Sequence, residues 1–319
     1  MLSNNKLQKS KAEGKLKIIA VAGPTCTGKS DLSMHLAKAF NGEIINADSM
    51  QVYRHFDIGT AKPDMAARRG IPHHLIDATE PYEEFNAALF KEKADVCISG
   101  IFSRNRIPII VGGTGLYLRA LVYGLFIAPK DADLREALQR EYTEDPLKFY
   151  EKLKEIDREY ALRISFRDKL RAVRAMEIFK STGLRMSEWG HIHGFRESHY
   201  EVLKLGLKRE RNELYPKINK RVDDMLNAGW IDEVKHILSS GYSEGLKPFT
   251  SIGYREILLY IKGLISYEDM VNNIKMHTRH YAKRQMTWFS KEKDVVWHEY
   301  PEDIDIIKIT VSEFLKGGA

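Results

Sequence analysis

Residues 23–30 read Gly-Pro-Thr-Cys-Thr-Gly-Lys-Ser, which has the form G-x-x-x-x-G-K-S of a phosphate-binding loop. Glycines let the backbone curl so that successive N–H groups point inward, and the helix that follows adds its positive N-terminus. Lys29 can then reach the outer phosphates, and the Ser30 hydroxyl can complete a Mg²⁺ shell. The stretch therefore predicts a polyphosphate site. The residues of the predicted loop are Gly23, Pro24, Thr25, Cys26, Thr27, Gly28, Lys29 and Ser30.

The segments on both sides of this loop alternate between strand and helix patterns. Residues 17–22 form a short apolar run, and residues 29–40 carry apolar side chains at helical spacing. Further strands are predicted at 43–47, 74–77 and 107–111, with a long helix over 84–105 before the last of them. The alternation predicts an α/β fold, with a parallel sheet like that of P-loop NTPases and helices on its faces.

The middle of the chain has a different character. Strand-like runs disappear between residues 125 and 198, where charged helical segments are predicted at 133–141, 147–157 and 169–180. A strand pattern returns at 200–207, and the chain is then mostly helical, with a last strand at 295–297. We therefore expect a core domain built from residues 1–124 and 199–319, with an inserted all-helical domain over 125–198.

Composition narrows the class of protein. The 319 residues carry a formal net charge of +6 and are 43% hydrophobic, without an apolar run near the ~20 residues that cross a bilayer. Two cysteines, Cys26 and Cys97, supply neither a disulfide framework nor a zinc site. We expect a cytoplasmic monomer without a membrane partner. The basic residues concentrate in 201–290, which is compatible with a nucleic-acid partner.

Two further strand ends bear on the chemistry. Hydrolysis of a nucleotide usually needs an acidic residue after a second buried strand, but 107–111 is followed by Gly112, Gly113 and Thr114. These residues form either a second set of phosphate donors or a tight turn. Asp48 follows the strand at 43–47 and could accept a proton from a nucleophile, contact Mg²⁺ through water, or form a turn.

Several motifs occur in a fixed order from about Ile18 to Phe289 and resemble those of the tRNA dimethylallyltransferase family. They are the phosphate loop, Asp48-Ser49-Met50-Gln51-Val52-Tyr53, Pro72-His73-His74, Gly112-Gly113-Thr114-Gly115-Leu116-Tyr117, Arg171-Ala172-Val173-Arg174, Gly253-Tyr254-Arg255-Glu256 and Lys283-Arg284-Gln285-Met286-Thr287-Trp288.

The resemblance implies an activity and roles for residues. Enzymes of this family move a dimethylallyl group from dimethylallyl diphosphate to N6 of the adenosine 3′-adjacent to the anticodon, in tRNAs that read codons beginning with U. Asp48 would be the general base, and Thr25, Gly28, Lys29 and Ser30 would hold the diphosphate, with Mg²⁺ on Ser30. Thr114 and Arg221 would stabilise the departing pyrophosphate, together with Lys29. Contacts with the anticodon stem-loop are implied for Asp48, Ser49, Met50, Gln51, Thr114, Arg135, Leu170, Arg171, Arg174, Gly253, Tyr254, Arg255, Lys283, Arg284, Gln285, Thr287 and Trp288.

The last of these motifs can be weighed by its spacing. On a helix over 272–290, Lys275, Arg279 and Lys283 share one face, and aromatic residues lie on another. Such a helix could track phosphates and stack bases, or it could be a solvated basic face beside a core stripe. We also expect Pro216, just ahead of Lys217, to lie in the first turn of a helix that begins near Asn212.

Three alternatives remain open at this stage. An adenylate isopentenyltransferase would prenylate free AMP, ADP or ATP and would not need the basic region around 253–255 and 283–288. A small-molecule kinase is suggested by the phosphate loop alone. A non-catalytic tRNA-binding protein is disfavoured by the presence of Asp48, Lys29 and Arg221.

Overall fold

The computed structural model describes residues 15–125, 131–193 and 198–317. Within these ranges six parallel strands form one sheet in the order β3-β2-β4-β1-β5-β6. The strands are β1 (Lys17–Ala22), β2 (Gly42–Asn46), β3 (His73–His74), β4 (Ile107–Gly112), β5 (Glu201–Leu207) and β6 (Val295–His298). In the centre of the sheet Ile19 pairs with Ile109 on one side and with Leu203 on the other.

Helices connect the strands and cover the sheet. Those of the core are α1 (Lys29–Ala39), α2 (Ala87–Ser103), α3 (Gly115–Tyr123), α9 (Arg211–Asn227), α10 (Trp230–Ser239), α11 (Tyr254–Ile261), α12 (Tyr267–Phe289) and α13 (Ile304–Lys316). Those between β4 and β5 are α4 (Ala132–Glu144), α5 (Pro146–Ile156), α6 (Arg158–Ala161), α7 (Lys169–Thr182) and α8 (Met186–His193). The prediction of a parallel α/β fold is confirmed.

The central strands are buried on both faces, because the crossover helices lie above and below the sheet. All but the first residue of β1 and of β4 are buried. One apolar cluster joins Val21 and Leu205 of the sheet to Leu32 and Leu36 of α1. The phosphate loop leaves β1 at the edge where the strands end, and this packing fixes where α1 begins.

Two predicted elements differ from the structure. The strand expected at 74–77 pairs with β2 only through His73 and His74, since Leu75 and Asp77 adopt positive φ angles of 60° and 52° and turn the chain away. Pro216 lies in the second turn of α9, not the first, so that prediction is wrong. Pro216 cannot donate to the carbonyl of Asn212, but both residues are exposed and water can replace that bond.

The chain divides into two compact units, one of residues up to Val122 and from His199 onward, the other Tyr123–Ser198. The second unit is helical and has its own apolar core, which includes Leu138, Phe149 and Met176. Four of its helices, α4 to α7, begin at an aspartate whose side chain accepts a main-chain N–H of the first turn. These N-cap residues are Asp131, Asp145, Asp157 and Asp168. In the described part of the chain, no helix combines the length and the apolar character that crossing a bilayer requires.

Candidate active site

The phosphate loop curls between β1 and α1 as the motif predicts. Gly23 and Gly28 have φ angles of 138° and 92°, which disfavour residues with a Cβ. A Cβ on Gly23 would lie 2.4 Å from the carbonyl oxygen of Leu207, and one on Gly28 would lie 2.6 Å from the ring of Tyr300. The two glycines therefore satisfy both the turn and the close packing of the loop against the ends of β5 and β6.

Lys29 is folded back onto its own loop. Its ammonium donates to the carbonyl of Pro24 at 2.5 Å, and the hydroxyl of Thr27 donates to the same oxygen at 2.9 Å. Burial and the neighbouring Arg221 guanidinium lower the pKa of Lys29 to about 8. A diphosphate beside Lys29 would offset both effects, because its negative charge favours the protonated ammonium.

Arg221 reaches the phosphate loop from α9. Its guanidinium lies 3.5 Å from the hydroxyl oxygen of Thr25 and 3.9 Å from the sulfur of Cys26. Two cationic groups thus meet at the N-terminus of α1, an arrangement that attracts an anion. Ser30 is exposed beside them and lines the same cavity.

Asp48 lies two residues beyond the end of β2. Its Oδ1 accepts the main-chain N–H groups of Met50 at 2.8 Å and of Gln51 at 3.3 Å. Among the described residues no hydrogen bond is made to Oδ2, so this oxygen is available to take a proton. The carboxylate lines the cavity that also contains Lys29 and Arg221.

The turn after β4 is tight for a packing reason. A Cβ on Gly112 would lie 2.2 Å from the carbonyl oxygen of Ala47, and one on Gly113 would lie 2.0 Å from the side-chain nitrogen of Gln285. The hydroxyl of Thr114 accepts the main-chain N–H of Ser49 at 3.2 Å and is also hydrogen-bonded to the side chain of Tyr281. Close approach accounts for the two glycines, and donation to phosphate stays a prediction for Thr114.

Gln285 of α12 joins two loops of the site. Its Oε1 accepts the N–H of Thr25 at 2.9 Å, and its Nε2 donates to the carbonyl of Gly113 at 3.0 Å. The side chain is 5% exposed. Both polar atoms are therefore engaged inside the protein, and Gln285 also lines the cavity; a direct contact with tRNA stays a prediction for it.

A cavity of about 1440 Å³ opens over the loop. It is wide enough for a diphosphate and a nucleobase together. Sequence reasoning missed part of its lining, because these side chains lie outside the motifs, some of them on helices that carry a predicted site residue. The missed residues include Met34, His35, Ile71, Arg209, Val222, Met225, Trp230 and Tyr300.

Of the tRNA contacts predicted at 253–255, two residues are buried and one is exposed. Tyr254 is fully buried, and its hydroxyl donates to Glu233 at 2.6 Å. Its side chain is therefore not accessible to RNA, which corrects the prediction of a direct side-chain contact. Gly253 is also buried, since a Cβ there would lie 1.9 Å from the indole of Trp230. Arg255 is exposed and pairs with Glu256 at 2.8 Å.

The basic face of α12 is not uniform. Lys275 pairs with Asp223 at 2.6 Å, and Arg279 donates to Asn219 at 2.7 Å. Lys283, by contrast, is exposed. The face is therefore partly engaged with α9, and exposed groups for RNA gather near its end. They are Lys283, Arg284 and Thr287.

Trp288, the last residue of the 283–288 motif, packs against α3. The Arg119 guanidinium lies 4.6 Å from the centre of its ring, and a Cβ on Gly115 would lie 2.1 Å from its Nε1. Its ring is half-buried and packed between these groups. Stacking of a base on Trp288 stays a prediction.

The predicted contacts in the helical unit surround one carboxylate. Arg135 pairs with Glu177 at 2.9 Å and Arg174 at 2.8 Å. Burial alone would raise the pKa of Glu177, but hydrogen bonds from the two arginines hold it below its usual range. Leu170 is 80% exposed beside them, and Arg171 pairs with Asp168. The unit thus presents an exposed leucine beside ordered arginines.

The described residues contain no group of three or more His, Cys, Asp or Glu side chains able to hold a metal ion. His74 instead pairs with Glu43 at 2.6 Å, which gives it a structural role. A magnesium ion suits the loop nonetheless, because Mg²⁺ keeps several waters and is bound mainly through substrate phosphates. Ser30 and the nearby Asp48 could complete its shell. Fold and site together define a P-loop-like α/β protein in which a phosphate loop and the Asp48 carboxylate line one cavity.

Comparison with known proteins gives the family. The family model described as IPP transferase matches residues 51–292, and the one described as isopentenyl transferase matches residues 16–78. The chain is 46% identical to tRNA dimethylallyltransferase 1 of Citrifermentans bemidjiense over 304 residues, which cover 95% of this chain and 98% of that protein. It is 44% identical to tRNA dimethylallyltransferase of Geobacter metallireducens, covering 95% and 99%.

Solved structures agree. The full-length tRNA isopentenylpyrophosphate transferase from Bacillus halodurans is 37% identical with a TM-score of 0.71, over 95% of this chain and 97% of that one. A eukaryotic dimethylallyltransferase acting on tRNA is 30% identical with a TM-score of 0.80, over 95% and 80%. This chain belongs to the tRNA dimethylallyltransferase family, and the family predicted from its motifs is confirmed.

Proposed function

We propose that this protein transfers a dimethylallyl group from dimethylallyl diphosphate to N6 of the adenosine 3′-adjacent to the anticodon, in tRNAs that read codons beginning with U. One observation carries the proposal: the phosphate loop, Arg221 and the free oxygen of Asp48 line a single cavity. These groups come from one chain, which favours action as a monomer. The cytoplasm, where tRNA is found, is the expected compartment.

The chemistry follows from the charges in the cavity. The bond between C1 of the dimethylallyl group and the diphosphate oxygen breaks as the bond between C1 and N6 forms, and pyrophosphate leaves. Lys29, Arg221 and the N–H groups that begin α1 stabilise the negative charge that develops on the leaving oxygen. Asp48 Oδ2 accepts the N6 proton. Magnesium held by Ser30 would supply further charge neutralisation when bound.

The acceptor must leave its base stack to reach a diphosphate seated at this loop, so base flipping is expected. Exposed cations at Lys283 and Arg284 suit contact with the phosphates of the anticodon stem-loop. No carboxylate follows β4, where a protein that hydrolyses nucleotides usually has one, and this disfavours an NTPase.

The test offers labelled dimethylallyl diphosphate with unmodified tRNA, with AMP, or with neither. We expect label on adenosine of tRNA, and Asp48→Ala should lower kcat by about 10²- to 10⁴-fold while tRNA still binds. Label on AMP but not on tRNA would favour the adenylate isopentenyltransferase alternative. Loss of tRNA binding in Asp48→Ala, without a separate effect on kcat, would reassign Asp48 to recognition.

A further inference from the structure

Glu233, in the first turn of α10, gathers a row of hydrogen-bond donors. Its Oε2 accepts the main-chain N–H groups of Asp57 at 3.0 Å and Ile58 at 2.6 Å. Its Oε1 accepts that of Gly59 at 3.4 Å and the Tyr254 hydroxyl at 2.6 Å. Three successive N–H groups that converge on one anion form a nest, and here the anion is a side chain of the same protein.

The loop that Glu233 binds, residues 57–61, in turn binds the side chain of Gln51. The Gln51 side-chain nitrogen donates to the carbonyls of Thr60 at 2.9 Å and Ala61 at 3.2 Å. The Gln51 main-chain N–H donates to Asp48 Oδ1 at 3.3 Å. A continuous set of hydrogen bonds therefore runs from Glu233 through the 57–61 loop and Gln51 to Asp48.

A second contact from α10 holds the same loop. A Cβ on Gly59 would lie 2.0 Å from Nε1 of Trp230, so the indole occupies the space beside that glycine. Gly59, Thr60 and Trp230 line the cavity together with Asp48. The placement of the loop therefore decides the shape of the cavity next to the carboxylate.

The loop has an anchor that does not depend on Glu233. The Lys62 side chain is 4% exposed, and its ammonium pairs with Asp57 and with Asp77 and donates to the carbonyl of Tyr53. Removal of the Glu233 carboxylate therefore leaves the loop attached at its far end. A variant at position 233 is expected to fold.

We propose that Glu233 is a positioning residue for the acceptor reaction: by binding the 57–61 loop it orients Gln51, and through Gln51 it orients Asp48. The proposal rests on the proposed function, in which Asp48 takes the N6 proton. Glu233 lies outside the sequence motifs that carry the family resemblance. It acts through other residues and does not touch the reacting atoms.

Hydrogen exchange of the full chain tests the link without any substrate. In Glu233→Ala the amides of Asp57, Ile58 and Gly59 should exchange faster, and so should those of Met50 and Gln51. The matched control is Asp232→Ala, which removes the adjacent carboxylate, one that is 82% exposed. Faster exchange at 57–59 with unchanged exchange at 50–51 would overturn the proposal, because the loop would then move without affecting Gln51.

Steady-state kinetics test the consequence. Glu233→Ala should lower kcat about 10- to 100-fold with little change in KM for dimethylallyl diphosphate, since misplacement of a catalytic group by about 1 Å has effects of that size. Glu233→Gln keeps one acceptor oxygen and should lie between it and the wild type. Asp232→Ala should stay within twofold of the wild type.

The double variant decides whether the effect passes through Gln51. If it does, Glu233→Ala combined with Gln51→Ala should be no slower than Gln51→Ala alone. Fully additive losses would overturn the proposal, and so would a kcat of Glu233→Ala equal to that of Asp232→Ala. If the wild type prenylates no tRNA the proposed function fails, whereas the exchange measurement still tests the link from Glu233 to Gln51.

Discussion

Replacement of Gln285 should remove the side chain that connects the phosphate loop to the turn at the end of β4 and so destabilise the protein. Gln285→Met keeps the length of the side chain but removes both hydrogen bonds, to the N–H of Thr25 and to the carbonyl of Gly113. Each buried polar group left without a partner costs about 1–3 kcal/mol. Thr25 is only half-buried and water can reach it in part, so we expect a total loss of about 2–4 kcal/mol in the free energy of unfolding.

The same change should weaken diphosphate binding, since the main chain at Thr25 is no longer held. We expect KM for dimethylallyl diphosphate to rise about tenfold, which corresponds to about 1.4 kcal/mol. Urea unfolding followed by tryptophan fluorescence, and initial rates against donor concentration, measure the two effects. The matched control is Asn272→Met, which replaces an exposed side-chain amide on the same helix. A loss of stability below about 0.5 kcal/mol, equal to that of the control, would refute the bracing role.

Three further predictions concern Lys29, Glu43 and Gly253. The folded pKa of Lys29 is about 8, below its usual 10.5, so the free energy of unfolding of the ligand-free protein should rise with pH between 8 and 10.5. KM for the donor should rise above pH 8, because Lys29 then loses the charge that attracts the diphosphate. Flat profiles in the wild type, like those expected of Lys29→Met, would contradict this role of Lys29. Burial alone would raise the pKa of Glu43, but hydrogen bonds from Arg104 and His74 lower it to about 2, so its contribution to stability is complete above pH 4.5 and lost as pH falls towards 2. Acid unfolding should accordingly be shallower in Glu43→Gln, and equal slopes would contradict that assignment. Gly253→Ala should lower the thermal midpoint measurably, because its Cβ would overlap an indole.

Local signals predicted the part of the fold that local geometry decides. The loop at 23–30 is bounded by β1 and α1 as expected, because a phosphate loop, its strand and its helix are adjacent in sequence. The third strand was overestimated because two residues with side chains, Leu75 and Asp77, adopt positive φ angles. Such conformations depend on tertiary contacts and leave no signal in a pattern of apolar residues.

The site was predicted in its residues more than in their roles. Asp48, Lys29 and Arg221 line one cavity, and the roles that the family resemblance implies for them stay predictions. Gln285 and Tyr254 lie in the right motifs but face inward, where they brace the loops at Thr25 and at Glu233. The sequence separation between Thr25 and Gln285 is 260 residues, and no spacing rule connects positions so far apart.

The most direct test of the central claim identifies the product nucleoside. Unmodified tRNA is incubated with dimethylallyl diphosphate that carries deuterium in its five-carbon group, digested to nucleosides and fragments, and measured by mass spectrometry, with released pyrophosphate counted in parallel. We expect one five-carbon group on the adenosine 3′-adjacent to the anticodon and one pyrophosphate for each group transferred, with Lys29→Met and Asp48→Ala both strongly impaired. Deuterium on free AMP alone, or ATP hydrolysis without any prenylated nucleoside, would contradict the account.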